Sequence, residues 1–445
     1  MSSNDLSGTI PSLNFPALNI FRADNNRLKG VLPTDISTTV QILSISNNQL
    51  TGPILNIMQT LSALTSLRLN NNALSGSISL SDHHVEIVLH HNSLTGALTT
   101  DFFTTNSNLK ILDLHHNMFT GQVPNTLNLA VGLEILRLDE NEFTGSLPTL
   151  ESLTALTELR FDRNALTGPL PSGLSLMLEL VHLDLGNNQF TGSLPDLSNN
   201  NNLLTLQLHS NQIEGQLVGS LSSKLQVLQL DDNTLSGVFS DTFLSADSKI
   251  IHLSLSENSF TGPLPTHLST WTSLEFLDLH ANLFTGPIPS NLPHSLVTLY
   301  LNRNLLSGEL PNNLGTMHLL RSVMFDSNQF TGTIHDKFYV TGQNGDQFTN
   351  LTNLMEISFY NNNFDDVNDE MNVADIVAAS REVFLFLYHT QEKIVCGVGQ
   401  YLKITYDPPY YPLPLEYPSW LLGCFPCPLG TYKDIFKHRS VGCTS

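Results

Sequence analysis

Cysteine is almost missing from this chain: 445 residues contain four, and the first, Cys396, comes near the end. The long cysteine-free stretch says nothing about redox compartment, so only the terminal cluster bears on it. Basic residues are also scarce, with 19 Lys and Arg against 40 Asp and Glu and a net charge of −21. That field repels nucleic acid and anionic membranes and favours basic or neutral partners. No apolar run approaches the roughly 18 residues that would span a bilayer, and the longest patch, Val383 to Tyr388, is far shorter. The first residues, M-S-S-N-D-L-S-G-T-I-P, lack the basic start and apolar stretch of a signal peptide. There is no G-x-S-x-G, Walker A, H-E-x-x-H or protein-kinase motif set. No catalytic residue, cofactor or metal is assigned, and the chain is not expected to be an enzyme.

What the chain does have is periodicity. Apolar residues make up 40% and charged ones 13%, a foldable composition in a length that one ordinary core cannot serve unless it grows by repetition. The motif N-x-[LFI]-[ST]-G-x-[IL]-P recurs with its asparagine at positions 4, 26, 48, 72, 92, 117, 141, 164, 188, 211, 233, 258, 282, 304 and 328, with a degenerate copy at Asn362. Upstream of each asparagine lies L-x-x-L-x-L-x-x, as in Leu109-Lys-Ile-Leu112-Asp-Leu114-His-His-Asn117. The alternating leucines predict a short strand with one buried face. Each buried leucine contributes about 1.5–3 kcal/mol, but only a stacked neighbour can bury it. The asparagine ends the strand, where its amide can serve backbone groups of the turn and of adjoining coils. Four residues later glycine appears in every regular copy, Gly8 to Gly332, which predicts a backbone position intolerant of a Cβ.

These motifs resemble the plant-type leucine-rich repeat, whose hallmark is L-T-G-x-[IL]-P. The resemblance covers about sixteen repeats in residues 1–366. It implies an α/β-type repeat solenoid: a right-handed superhelix with a parallel sheet on the concave face and a mostly irregular, 3-10 or extended convex side. It also implies a non-enzymatic extracellular or cell-surface recognition scaffold, the ligand-binding part of a receptor-like protein, with a peptide, glycan or protein as ligand and a co-receptor as a further partner. A secreted enzyme inhibitor or matrix protein, resembling the plant polygalacturonase inhibitors, is the alternative. The family's N-terminal cap with its cysteine pair is absent from this chain, so an incomplete N-terminus is expected.

Beyond the repeats, residues 335–349 form an insertion, 367–405 are expected to cap the last coil, and 406–445 combine a Pro/Tyr-rich linker with a cysteine-rich start. The string C-F-P-C-P-L-G-T-Y is similar to the opening of ephrin-receptor-like cysteine-rich modules, which implies disulfides at Cys396, Cys424, Cys427 and Cys443, with free thiols or a metal site as the alternatives. The sequon Asn350-Leu-Thr352 is the candidate glycosylation site.

Parallel strands lie ~4.8 Å apart, so equivalent positions of successive repeats should touch. The outward columns place Asp113, Arg137, Arg160 and Asp184 in one line and His115, Asp139 and Asp162 in the next, with Glu140 and Arg163 beside them. This mixed-charge set is suited to grip a peptide's termini, with a solvated, self-paired face as the alternative. His90 and His115 should be adjacent, with His91 and His116 alongside; a metal site, a proton-sensitive patch and plainly exposed variable positions all remain open for these four. Farther along, Tyr300, Met324 and Tyr360 make the face aromatic, and Tyr300 and Tyr360 are candidate ligand anchors.

Overall fold

The computed structural model describes residues 1–79, 83–104 and 108–333, and beyond these 340–341, 347–348, 353–354, 356–359, 361–364, 384–386, 400–405 and 421–426. The chain divides into two compact units. One comprises Met1–Leu235 with Thr242–Leu244, the other Ser236–Asp241 with Ser245–Ser445.

In the first unit, the leucine-rich segments form one three-residue strand per coil, in parallel. Val88, Asp113, Arg137, Arg160 and Asp184 stand in register, as do Ile87, Leu112, Leu136, Leu159 and Leu183. These leucines and isoleucines are wholly buried; with no offset between coils, each side chain rests on its equivalent. The second unit repeats the ladder through His252–Ser254, Phe276–Asp278, Thr298–Tyr300, Ser322–Met324 and Glu356–Ser358. The strand Phe384–Phe386 adds to it in parallel, and Gln400–Thr405 pairs antiparallel with Leu421–Pro426.

The segments between the leucine strands are more regular than their composition suggests. The expected 3-10 turns occur, for example at Thr100–Phe103 and Asn125–Leu129. The extended segments after each asparagine, however, pair into a second parallel ladder. Met118–Gln122 lies between Ser93–Ala97 and Glu142–Ser146, with Gly96 opposite Phe119 and Gly121 opposite Phe143. Gly121 has φ +79°, and a Cβ there would stand 3.2 Å from that of Ala97. The repeat glycine therefore supplies both a left-handed backbone and room for the preceding coil.

Asn117 shows how the coils are joined. Its Nδ2 donates to the carbonyls of Leu114 and His115 in its own coil, at 3.0 and 3.2 Å, and to Leu89 of the preceding coil at 3.1 Å. Its Oδ1 accepts from the N–H of Leu94 at 3.0 Å. Asn141, Asn164, Asn188 and Asn211 repeat this pattern. The residue before each asparagine sits in the left-handed region, including His91 and His116 at φ 53° and Glu140 and Arg163 at 51°. Its N–H donates to the next coil, as His91 does to the His115 carbonyl and His116 to that of Asp139; this bond offsets the ~1–2 kcal/mol that the left-handed conformation costs a residue with a Cβ.

Replacing Asn117 by alanine orphans carbonyls in two coils and should cost about 2–4 kcal/mol. The same change at exposed Asn4, whose amide bonds only to Met1 and Ser2, should cost under about 0.5 kcal/mol. Urea-unfolding midpoints of the two variants check this; equal losses would contradict the assigned role of the ladder.

Candidate functional site

The in-register ladder delivers side chains from successive coils to one strip of the first unit. On its N-terminal edge the four imidazoles form two stacked pairs. His90 and His115 are parallel with ring centroids 4.3 Å apart, and His91 and His116 likewise at 4.3 Å. His91 stands edge-on to both His90 and His115, at 5.2 and 5.0 Å. The adjacency expected from the columns is present.

Two of these rings are held by carboxylates. His115 Nδ1 lies 2.6 Å from Asp113 Oδ1, and His116 Nδ1 lies 2.5 Å from Glu140 Oε2. Burial pulls the His115 pKa down, but the hydrogen bond and charge of Asp113 outweigh it and the net shift is upward. Burial pushes Asp113 up, yet His115, together with the charges of His90 and Arg137, brings it below its ordinary value. His90 has no carboxylate bonded to it; burial first, then His115, His91 and Arg137, lowers it to about 4 despite the opposing pull of Asp113. His91 is lowered for the same first reason, with His116 and His115 adding to it.

Next to the imidazoles run two lines of ion pairs across the coils. In the first, Arg137 reaches Asp113 at 3.5 Å and forks onto Glu158, with Nε–Oε1 2.9 Å and Nη2–Oε2 2.7 Å. Arg160 meets the same Glu158 at 2.5 Å, a close ionic contact without hydrogen-bond alignment. In the second, Glu140 joins His116 to Arg163, which also lies 3.6 Å from Asp162. The charges thus pair with one another, as the alternative reading of the face anticipates, while the guanidinium side chains of Arg160 and Arg163 stay 39% and 60% exposed.

The carboxylates of the columns are less exposed than an outward position suggests. Asp113, Asp139, Asp162 and Asp184 are all buried, because short side chains on closely spaced coils are covered by longer neighbours. Asp139 Oδ1 accepts no hydrogen bond from the protein, and burial raises its pKa. Burial, then repulsion from Asp139, carries Asp162 to about 6; burial, then repulsion from Asp162, carries Asp184 to about 6 as well.

The residues that sequence reasoning picked out in this strip, Asp113, His115, Arg137, Asp139, Arg160, Asp162, Arg163 and Asp184, therefore do come together. Tyr300 lies in the second unit, edge-on to Phe276 at 6.2 Å, with its hydroxyl 2.9 Å from Ser322 Oγ. Tyr360, Asn350, Cys396, Cys427 and Cys443 lie outside the described residues, and Cys424 falls within the strand Leu421–Pro426. Glu158, which carries both arginines, escaped sequence reasoning because it sits in the column of Ile111 and Ile135, a position that reads as packing. Its neighbours Arg137 and Arg160 on either side were the available signal.

Six segments of the chain, residues 39–61, 108–129, 179–201, 249–271, 273–294 and 295–317, match the leucine-rich repeat family. The six matched segments are leucine-rich repeats. Among solved structures, the fold is similar to a TDR receptor (25% identity, TM-score 0.72, covering 81% of this chain and 63% of that one). It is also similar to the Arabidopsis receptor kinase HAESA in complex with the peptide hormone IDA and the co-receptor SERK1 (27%, 0.71, 81% and 65%). A third likeness is to PEPR1–AtPEP1 (25%, 0.66, 82% and 62%). This chain spans just under two thirds of the length of each of these structures. No curated protein matches it in sequence. No helix among the described residues is long and apolar enough to cross a membrane.

The raised pKa of Asp184 gives the leucine-rich-repeat strip a defined pH response. Its folded value lies above the ordinary one, so the folded chain holds this proton more tightly than the unfolded chain. Ionising it costs stability, fully so above about pH 6 and not at all below about pH 4. Asp184→Asn should therefore stabilise the protein by ~1–2 kcal/mol near pH 7 and leave it unchanged near pH 3.5. Paired urea titrations at the two pH values measure this; a destabilised variant near neutrality would refute the assignment.

Proposed function

We propose that the leucine-rich-repeat face around Asp113–Asp184 is a non-enzymatic recognition surface that captures a peptide bearing both acidic and basic groups. The observation that carries this reading is the cross-coil charge strip. Arg137, Arg160 and Arg163 are held in place by buried or half-buried carboxylates yet present part of each guanidinium to solvent. Pre-positioned guanidiniums lose little freedom on binding a carboxylate, by two parallel N–H···O bonds where geometry allows. Beside them, Asp139, Asp162 and Asp184 carry raised pKa values, so a cationic group brought against them would be stabilised as their protons leave. A bound peptide would satisfy both halves of the strip.

The similar HAESA structure holds a peptide hormone and a co-receptor, which supports the same arrangement here. The chain is then the ligand-binding part of an extracellular receptor-like protein. The exposed imidazoles and guanidiniums of the strip give such a ligand contacts distributed over several coils, with Arg137 and Arg160 as the anchors.

The test uses a library of linear peptides presented once with free carboxyl termini and once amidated. The chain should enrich peptides with a free or side-chain carboxylate. Arg137→Ala with Arg160→Ala should weaken capture by about 10–100-fold. Adding Glu158→Gln to the pair avoids leaving a buried unpaired charge, so that loss of capture is separated from loss of fold. Equal enrichment of the amidated library, or undiminished capture by the folded triple variant, would remove this strip as the binding surface.

A further inference from the structure

The paired histidines have no part in that reading beyond general exposure, and their geometry points elsewhere. We propose that His90, His91 and His115 form a binding site for one borderline divalent transition-metal ion, Zn²⁺ or Cu²⁺ in type. One ring nitrogen of each lies within 4.8 Å of those of the other two. The shortest separation, His90 Nδ1 to His91 Nδ1, is 3.1 Å. Two imidazole lone pairs at that distance repel unless a proton or a cation lies between them. Zinc–nitrogen bonds of about 2.0–2.1 Å place tetrahedral ligands roughly 3.3 Å apart, so a metal fits this edge. The wider 4.8 Å spread closes when one ring rotates by ~1.5 Å toward the ion, within the reach of a side chain on a rigid backbone.

The surroundings are those of an oriented ligand set. Asp113 Oδ1 takes the Nδ1–H of His115 at 2.6 Å, which leaves Nε2 as the lone-pair nitrogen and fixes the ring plane. Asp113 is in turn steadied by the His115 backbone N–H at 3.4 Å and by Arg137 at 3.5 Å. Asp139, buried on the next coil with an oxygen that accepts no hydrogen bond, adds negative potential toward His115. No carboxylate oxygen belongs to the set, which disfavours Ca²⁺ and Mg²⁺ and favours ions that prefer nitrogen. His91 is exposed, so a coordination position stays open toward solvent. The repeat itself builds the site: two successive coils carry His-His before their asparagines, and the in-register ladder superimposes them.

The test titrates the full chain, stripped with chelator and with cysteines blocked by N-ethylmaleimide, with Zn²⁺ by calorimetry and with Co²⁺ by visible absorption. One saturable site per chain is expected, unaffected by millimolar Mg²⁺ or Ca²⁺. His90→Gln with His115→Gln should weaken it by at least ~100-fold, and Asp113→Asn by about 10–100-fold. His182→Gln and His280→Gln, remote from the cluster, should leave it intact, and circular dichroism confirms that every variant is folded. Absence of a saturable site, or a site that survives the His90/His115 double variant, overturns the proposal.

Discussion

The whole arrangement depends on one interaction, the asparagine amide that bonds to two coils at once. By donating to carbonyls of its own turn and of the preceding coil, Asn117 closes a strand and fixes where the next one starts. Repeated at each coil, this leaves no freedom of register. The leucines stack as a consequence, and so do the polar positions between them. A residue that differs from repeat to repeat is free in identity but not in place. Recognition surfaces on such a scaffold are therefore assembled by rows across coils, each contributing two or three side chains from a strand too short to hold a site alone.

The strip between Asp113 and Asp184 shows what that rigidity does to charge. In solution, aspartate and arginine side chains at the surface gain little from pairing. Here the backbone sets their spacing, so Glu158 is gripped from both sides and Asp113 is shared between an imidazole and a guanidinium. Asp162 and Asp184 are pushed toward neutrality by burial and then by the aspartate of the coil before, Asp139 for the first and Asp162 for the second. A fixed lattice of like and unlike charges cannot relax to satisfy every member, and the unsatisfied ones are where a ligand gains most.

Most of the framework is legible in the residues. The asparagine, leucine and glycine columns each state a physical need, and the parallel spacing alone brings His90 to His115 and Arg137 to Arg160. What the columns do not state is depth. Asp139 and Asp184 read as outward positions, and only the coil-to-coil packing shows that they are buried. Nor does the pattern reveal that the residue before each asparagine is left-handed. Asn-Asn pairs at 25–26, 47–48 and 71–72 suit that conformation, but His91, His116 and Ala281 adopt it too, because the ladder bonds impose it. The second parallel ladder was hidden for a related reason: its strands contain the repeat glycine, which local propensity disfavours and the neighbouring coil requires.

The tripeptide Asp-Leu-His occurs twice, at 113–115 and at 278–280, and separates local motif from site. In both, the carboxylate takes the ring Nδ1 and the backbone N–H of the histidine, and in both it raises the imidazole pKa against the pull of burial. The side-chain geometry is nearly the same, 2.6 and 2.7 Å. Yet His115 stacks on a second imidazole from the preceding coil, whereas His280 meets Glu257, at 3.4 Å. The aspartate thus acts alike in the two units, and what differs is the neighbour that the coil before supplies, an imidazole for His115 and a carboxylate for His280.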